Sequence, residues 1–377
     1  MAKKKKQKIQ WGQYIAVIFF ILIGAVCGVL MAEYTFTSEG SGETLGEKLA
    51  SIAVLLLGMY VAMFLQIIIH EAGHLLFGLL TGYRFSSFRI GSFMLAKIRG
   101  KFCFKRLSLA GTGGQCLMSP PDMSDGKIPY VLYNLGGSIM NVITAGIFGI
   151  CFLLCENTSV LSVFLLMLAI IGMAFALMNG IPMRMGTVDN DGYNACSLGK
   201  EQEALRSFWV QMKVSDEQIQ GNRLKDMPDE WFEIPDDEKM KNSMIAVMGV
   251  FACNRLMDQK KFQEADVLID KLLKMQTGIV GIHKNLLVSD RIFCELIGNG
   301  NKDKIDKMRD KQYLKFVKSM KNFPSIIRTE YTYELLFEKN LEKAEAMKKK
   351  FDEIAKTYPY SSDIESEREL MNFVKPI

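Results

Sequence analysis

Long apolar stretches alternate with short polar ones up to about residue 192. Beyond that point apolar positions recur at helical spacing among many Lys, Glu and Asp. Four stretches in the first half reach the roughly 20 apolar residues that a helix needs to cross a bilayer. They are Trp11 to Ala32, Leu49 to about Leu80, Pro129 to Cys155 and Val160 to Met178. The second is longer than a span requires, so it is expected to tilt or protrude. The first follows the basic residues Lys3 to Lys6, as a signal peptide would. Its apolar run is too long for one and no small-x-small cleavage site follows, so a retained anchor is expected.

Between the second and third spans the pattern shortens. Phe85, Phe88, Ile90, Phe93, Leu95, Ile98, Phe102, Phe104 and Leu107 are mixed with basic residues and punctuated by Gly91 and Gly100. This predicts short strands joined by turns, a β-hairpin loop. Two roles for it stand side by side: a strand edge that pairs with an extended substrate, or a small cover for the preceding helix. After Tyr193 the period is helical. Met244, Val247, Met248, Phe251 and Leu256 share a face. A second helix opens at Lys261-Phe262-Gln263-Glu264-Ala265, and Asn340-Leu341-Glu342-Lys343-Ala344 repeats that local pattern. These resemble the second helices of tetratricopeptide-like hairpins, with a small Ala at the crossing. Such arrays usually bind partners. The predicted fold is therefore an α-helical polytopic membrane protein of about four transmembrane helices, with a C-terminal all-α soluble domain. Its divisions are residues 1–48 (anchor helix and outer loop), 49–192 (membrane core) and 193–377 (helical domain).

Charge sets the orientation. The net charge of +5 is small, but the Lys and Arg are unevenly placed. Lys3, Lys4, Lys5, Lys6 and Lys8 hold the N-terminus inside. The next loop carries Glu33, Glu39, Glu43 and Glu47 against Lys48 and suits the outside. Arg84, Arg89, Lys97, Arg99, Lys101, Lys105, Arg106 and Lys127 place the loop after span two in the cytoplasm. The turn from Glu156 to Ser159 is then outside, and everything after Met178 is cytoplasmic. No Arg-rich strip with interleaved aromatics argues for nucleic-acid binding. The eight cysteines lack paired CxxC spacing and read as small hydrophobes in a reducing compartment.

The chemistry centres on His70-Glu71-Ala72-Gly73-His74, in a stretch otherwise uncharged between Lys48 and Arg84. Histidines four apart lie on one helix face, close enough to share a metal ion. Glu71 is turned about 100° aside, where it can hold a water beside the metal. Ionisable groups in a span are costly, which favours a functional reason for them. A catalytic zinc needs a third protein ligand. Asp191, followed by Gly192, lies just past the inner end of span four, at the depth of the histidines. Asp189 is the rival, and both acids could instead cap the helical domain. Asn141, within span three after Gly136-Gly137, could donate to an oxyanion or make a helix-packing hydrogen bond.

These residues carry a resemblance. The chain looks like a site-2 protease, an intramembrane zinc metalloprotease, over about residues 49 to 195. The family's motifs match His70-Glu71-Ala72-Gly73-His74, then Gly137 to Asn141, then Asn179 to Pro182 with Asp191-Gly192. Met183 to Gly186 and Asn190 depart from the usual run before Asp-Gly, and no PDZ-like insert is present. The resemblance implies zinc held by His70, His74 and Asp191, Glu71 as base, and Asn141 near the scissile carbonyl. It implies a bacterial plasma-membrane enzyme that cuts transmembrane segments or signal-peptide remnants, in regulated proteolysis or peptide maturation. The rival is an inactive membrane scaffold whose helical domain binds partner proteins, but a retired site has no need of Glu71. A metal transporter would need polar residues across the other spans.

Overall fold

The computed structural model describes residues 11–37, 44–108, 112–155, 159–184 and 189–374. The basic cluster Lys3 to Lys8, and Glu39, Glu43, Glu156, Thr187 and Val188, lie outside the described residues. The chain divides into two compact units, Met1–Tyr83 with Pro129–Gly199, and Arg84–Ile128 with Lys200–Ile377.

The first unit holds four helices long and apolar enough to cross a membrane: α1 (Trp11–Thr37), α2 (Leu45–Leu80), α3 (Tyr130–Leu153) and α4 (Val160–Gly180). A short α5 (Asp191–Ser197) follows. The helices match the four apolar stretches of the sequence. A capping box starts α2: Glu47 N donates to Thr44 Oγ1 at 3.3 Å and Thr44 N donates to Glu47 Oε2 at 2.7 Å. The 36 residues of α2 reach about 54 Å at 1.5 Å each, well past a hydrocarbon core of about 30 Å. Ser159 and Ser162 form the capping box of α4. The apolar core joins Cys27, Leu55, Ala62, Val163, Met167 and Ile171. Leu57, Leu79, Ile147 and Leu161 are exposed on the flanks, while Gln66, His70, His74, Asn134 and Asn141 are buried. An apolar sheath around a polar interior is the arrangement that hydrocarbon as solvent selects.

The second unit combines a sheet with a helical array. Strands β1 (Arg84–Ile90), β2 (Phe93–Ile98), β3 (Lys101–Arg106) and β4 (Gly114–Ser119) form an antiparallel sheet of order β3-β2-β1-β4. The two-residue turns use Gly91 at φ +57°, then Arg99 at +47° and Gly100 at +80°, the left-handed conformations that such turns require. The expected hairpin is thus part of a four-stranded sheet. Its fourth strand, Gly-Gln-Cys-Leu-Met-Ser, carries no aromatic or β-branched residue to mark it. The helices are α6 (Gln202–Gln220), α7 (Ser243–Asp258), α8 (Phe262–Lys274), α9 (Gly281–Ile297), α10 (Lys302–Met308), α11 (Lys311–Ser319), α12 (Pro324–Thr332), α13 (Leu341–Ala355) and α14 (Ser361–Phe373). Ala265 and Ala344 are buried.

One core explains why the strands belong with these helices. Met94, Ala96 and Leu107 pack with Ile219, Ile327, Phe351, Tyr358 and Met371. The sequence division placed residues 84–128 in the membrane core, whereas the contacts group them with the helices from Lys200 onward. Phe93, Phe102 and Phe104 face outward, Phe104 at 86 % exposure. Arg89 is buried instead, and its guanidinium donates to Gly91 O and Thr112 Oγ1, each at 2.6 Å.

Candidate metal centre

The two histidines sit on α2 one turn apart, both buried. Their Nε2 atoms are 3.1 Å from each other. Asp191, the first residue of α5, brings its Oδ2 to 3.2 Å from His70 Nε2 and 3.4 Å from His74 Nε2. One ligand atom from each residue lies within 4.8 Å of the others, so the three could hold a metal ion. Burial alone would raise the Asp191 carboxyl. When the facing imidazoles also carry protons on Nε2, they outweigh it and hold the carboxyl well below the usual range.

The outer ring nitrogens are tied back. His70 Nδ1 is 2.8 Å from Asn141 Oδ1, and His74 Nδ1 is 2.8 Å from the Tyr133 carbonyl. Both partners are acceptors, so each Nδ1 carries the proton and each Nε2 lone pair faces Asp191. Asn141 is fully buried, and its Nδ2 donates to Gln66 Oε1 at 2.7 Å and Gln66 O at 3.2 Å. The backbone carbonyl of Gln66 only accepts, which fixes the amide orientation. Gln66 Nε2 in turn donates to Leu168 O at 2.9 Å. Both amide hydrogens of Asn141 therefore point at Gln66 and its oxygen at His70. Here Asn141 is a positioning residue behind the imidazole.

Glycines let the helices come this close. A Cβ at Gly137 would lie 2.5 Å from His70 Cε1, and one at Gly73 would overlap the Gly136 carbonyl. The α2–α3 crossing thus runs backbone to backbone beside the site. The stacked rings of Tyr83 and Tyr133, 4.7 Å apart, pack next to His74.

Asn190 sets the position of Asp191. It caps α5 by accepting from Tyr193 N at 2.9 Å, and it also accepts from Met183 N at 2.9 Å. Its Nδ2 donates to Met178 O at 2.8 Å and Ile181 O at 2.6 Å. One side chain thus binds the end of α4 to the start of α5. Asp189 pairs instead with Arg184 at 3.5 Å and is not in the three-residue cluster. Glu71 is buried on α2, next to His70 in the chain.

Sequence reasoning named His70, Glu71, His74, Asn141 and Asp191, and missed Gln66 and the role of Asn190. Gln66 carried a signal, a polar side chain one turn before His70 in a span. Comparison of the chain with protein-family models, with curated proteins and with solved structures finds no match, so the chemistry of this centre rests on its own geometry.

Proposed function

We propose that the chain is an intramembrane zinc metalloprotease of the site-2 protease kind. Its substrates are peptide bonds in transmembrane segments or in hydrophobic signal-peptide remnants. The observation that carries this reading is the triangle of His70 Nε2, His74 Nε2 and Asp191 Oδ2, with sides of 3.1, 3.2 and 3.4 Å. Tetrahedral ligands about 2.0–2.1 Å from zinc stand about 3.3 Å apart. The three atoms match one face of such a tetrahedron and leave a fourth position for water. Nitrogen and carboxylate donors suit zinc, and the tied-back Nδ1 atoms are the outer support that zinc imidazoles usually have.

Zinc held there would supply Lewis acidity, polarising the scissile carbonyl and lowering the pKa of water toward about 7. Glu71 accepts a proton from the attacking water and returns it to the leaving amine. Asn141 and Gln66 keep the His70 ring from rotating, and Tyr133 does the same for His74. An intact helix hides its carbonyls in its own hydrogen bonds, so the substrate must unwind locally before attack. The Lys and Arg asymmetry favours a cytoplasmic side for both termini, and the site-2 protease resemblance implies a bacterial plasma membrane. The helices after Lys200 then form a tetratricopeptide-like array that offers a surface to partner proteins.

Glu71→Gln tests the reading. The amide keeps the size of the side chain but cannot take the proton. Zinc content should persist, while cleavage of a co-expressed single-span reporter falls about 10²-fold or more. Equal cleavage by variant and parent would exclude Glu71 as the base. A parent chain that cuts no membrane peptide, yet binds a partner tightly through its helices, would put the scaffold in place of the protease.

A further inference from the structure

The second unit contains a cavity of about 300 Å³ between the sheet and the helices. That is near the lower end for small-ligand sites, enough for one long side chain or a small molecule. Most charges in its walls are matched. Arg223 binds Asp258 and Glu369, and Lys260 also binds Glu369. Arg328 binds Asp290 and Glu367. Asp363, on α14, is the exception. Its hydrogen bond is to a neutral amide, Gln218 Nε2 at 2.7 Å. Among the described residues no cation lies within ion-pair distance of it.

Two further groups in the lining have polar atoms with nothing to bind. Tyr358 is 5 % exposed and lines the cavity, with Asp363 and Glu367 as its charged neighbours. Its hydroxyl makes no hydrogen bond among the described residues. His283 also lines the cavity, and its Nδ1 is buried without a partner. Burial lowers the pKa of that ring and keeps it neutral, with an acceptor nitrogen. The rings of Tyr358 and Tyr360 are 5.8 Å apart at 66°, and Phe323 meets Tyr358 edge-on at 6.3 Å. Aromatic faces beside an unmatched carboxylate attract organic cations. Arg89, on the sheet, is engaged by Gly91 O and Thr112 Oγ1.

We propose that this cavity is a binding site for an ammonium or guanidinium group on an apolar stem, with Asp363 as counter-ion and Tyr358, Tyr360 and Phe323 as walls. The inference is independent of the proteolytic reading, because it uses no residue of the metal centre. The cation has two sources, a free amine or the Lys or Arg side chain of a peptide.

Calorimetric titration of the full-length chain in neutral detergent at pH 8, where Asp363 is ionised, tests it. The probes are n-butylammonium and the blocked tripeptide acetyl-Ala-Lys-Ala-amide. The neutral control is the same tripeptide with norleucine in place of lysine. The lysine peptide, the free amine or both should bind, and the norleucine peptide should bind at least tenfold more weakly. Equal binding of both cations identifies free amines as sufficient, and binding of the peptide alone identifies a side chain in its peptide context. Asp363→Asn should weaken binding at least tenfold, with folding checked by a cooperative melt. Tyr358→Phe, which removes only the hydroxyl, should weaken it severalfold and decides the matter if Asp363→Asn does not fold. Absence of binding by every cationic probe at 10 mM overturns the proposal. So does equal binding of the norleucine peptide, or full affinity in the folded variants.

Discussion

Gln66 holds the orientation of the first imidazole at one remove, through Asn141. Gln66→Leu should leave the three ligand side chains in place but free the His70 ring. Zinc affinity, measured by chelator competition, should then fall about 10- to 100-fold, the usual effect of losing an outer partner. Asp191→Ala should remove far more zinc than Asp189→Ala; the reverse order would transfer the ligand role. At this scale the His-Glu-x-x-His spacing was legible because both ligands share one helix face. Gln66 and Asn190 were not, since each acts through partners in other segments that no local pattern links. Asp363 gives a pH signature. Burial, then the nearby charge of Glu367, pushes its carboxyl up to about 7. The folded chain therefore holds a proton between about pH 4 and 7 that the unfolded chain has lost, so this group's contribution to stability falls as pH rises through that window. Asp363→Asn should raise the melting temperature at pH 8, by about 3 °C or more, and change it little at pH 4. An equal shift at both values would contradict a raised carboxyl.

Among the elements, the α2–α3 crossing depends on Gly73 and Gly136, where either added Cβ meets the opposite backbone. Gly136→Val should force the helices apart, at a cost of about 1–3 kcal/mol. Thermal unfolding in detergent should show a lower midpoint, and zinc content should fall with it because His70 and Asp191 separate. Retention of both would mean the crossing is more compliant than its geometry. The spans were legible from apolar length. The strands were only half legible, because both sides of β2 are largely apolar. Alternation alone does not tell Met94 and Ala96, which face the core, from Phe93 and Leu95, which do not. Arg89 reads as a solvent-facing residue in sequence, yet its hydrogen bonds let it be buried in the sheet.

For the whole molecule, the proposed topology has a direct test. Cys253 and Cys294 are buried and would not react on either side of a membrane. Cys196 is exposed, and Cys155 is partly exposed at the end of α3. In intact cells an impermeant thiol reagent should label Cys155 and spare Cys196 until lysis. The opposite pattern would invert the orientation. The second unit is assembled from two separated stretches of chain, an arrangement the sequence did not reveal because its division followed hydropathy. That discontinuity bears on biosynthesis. The last strand ends at Ser119, while Met371, which shares the core of Met94 and Ala96, lies about 250 residues later. At about 5–20 residues per second a ribosome needs about 13–50 s to cover that distance. The first helix of this core, α6 with Ile219, is made only about 100 residues after the last strand, and the cover is complete only when Met371 has emerged. The nascent strands must be shielded by other means, and the chain can complete its fold only once translation has reached the final helix.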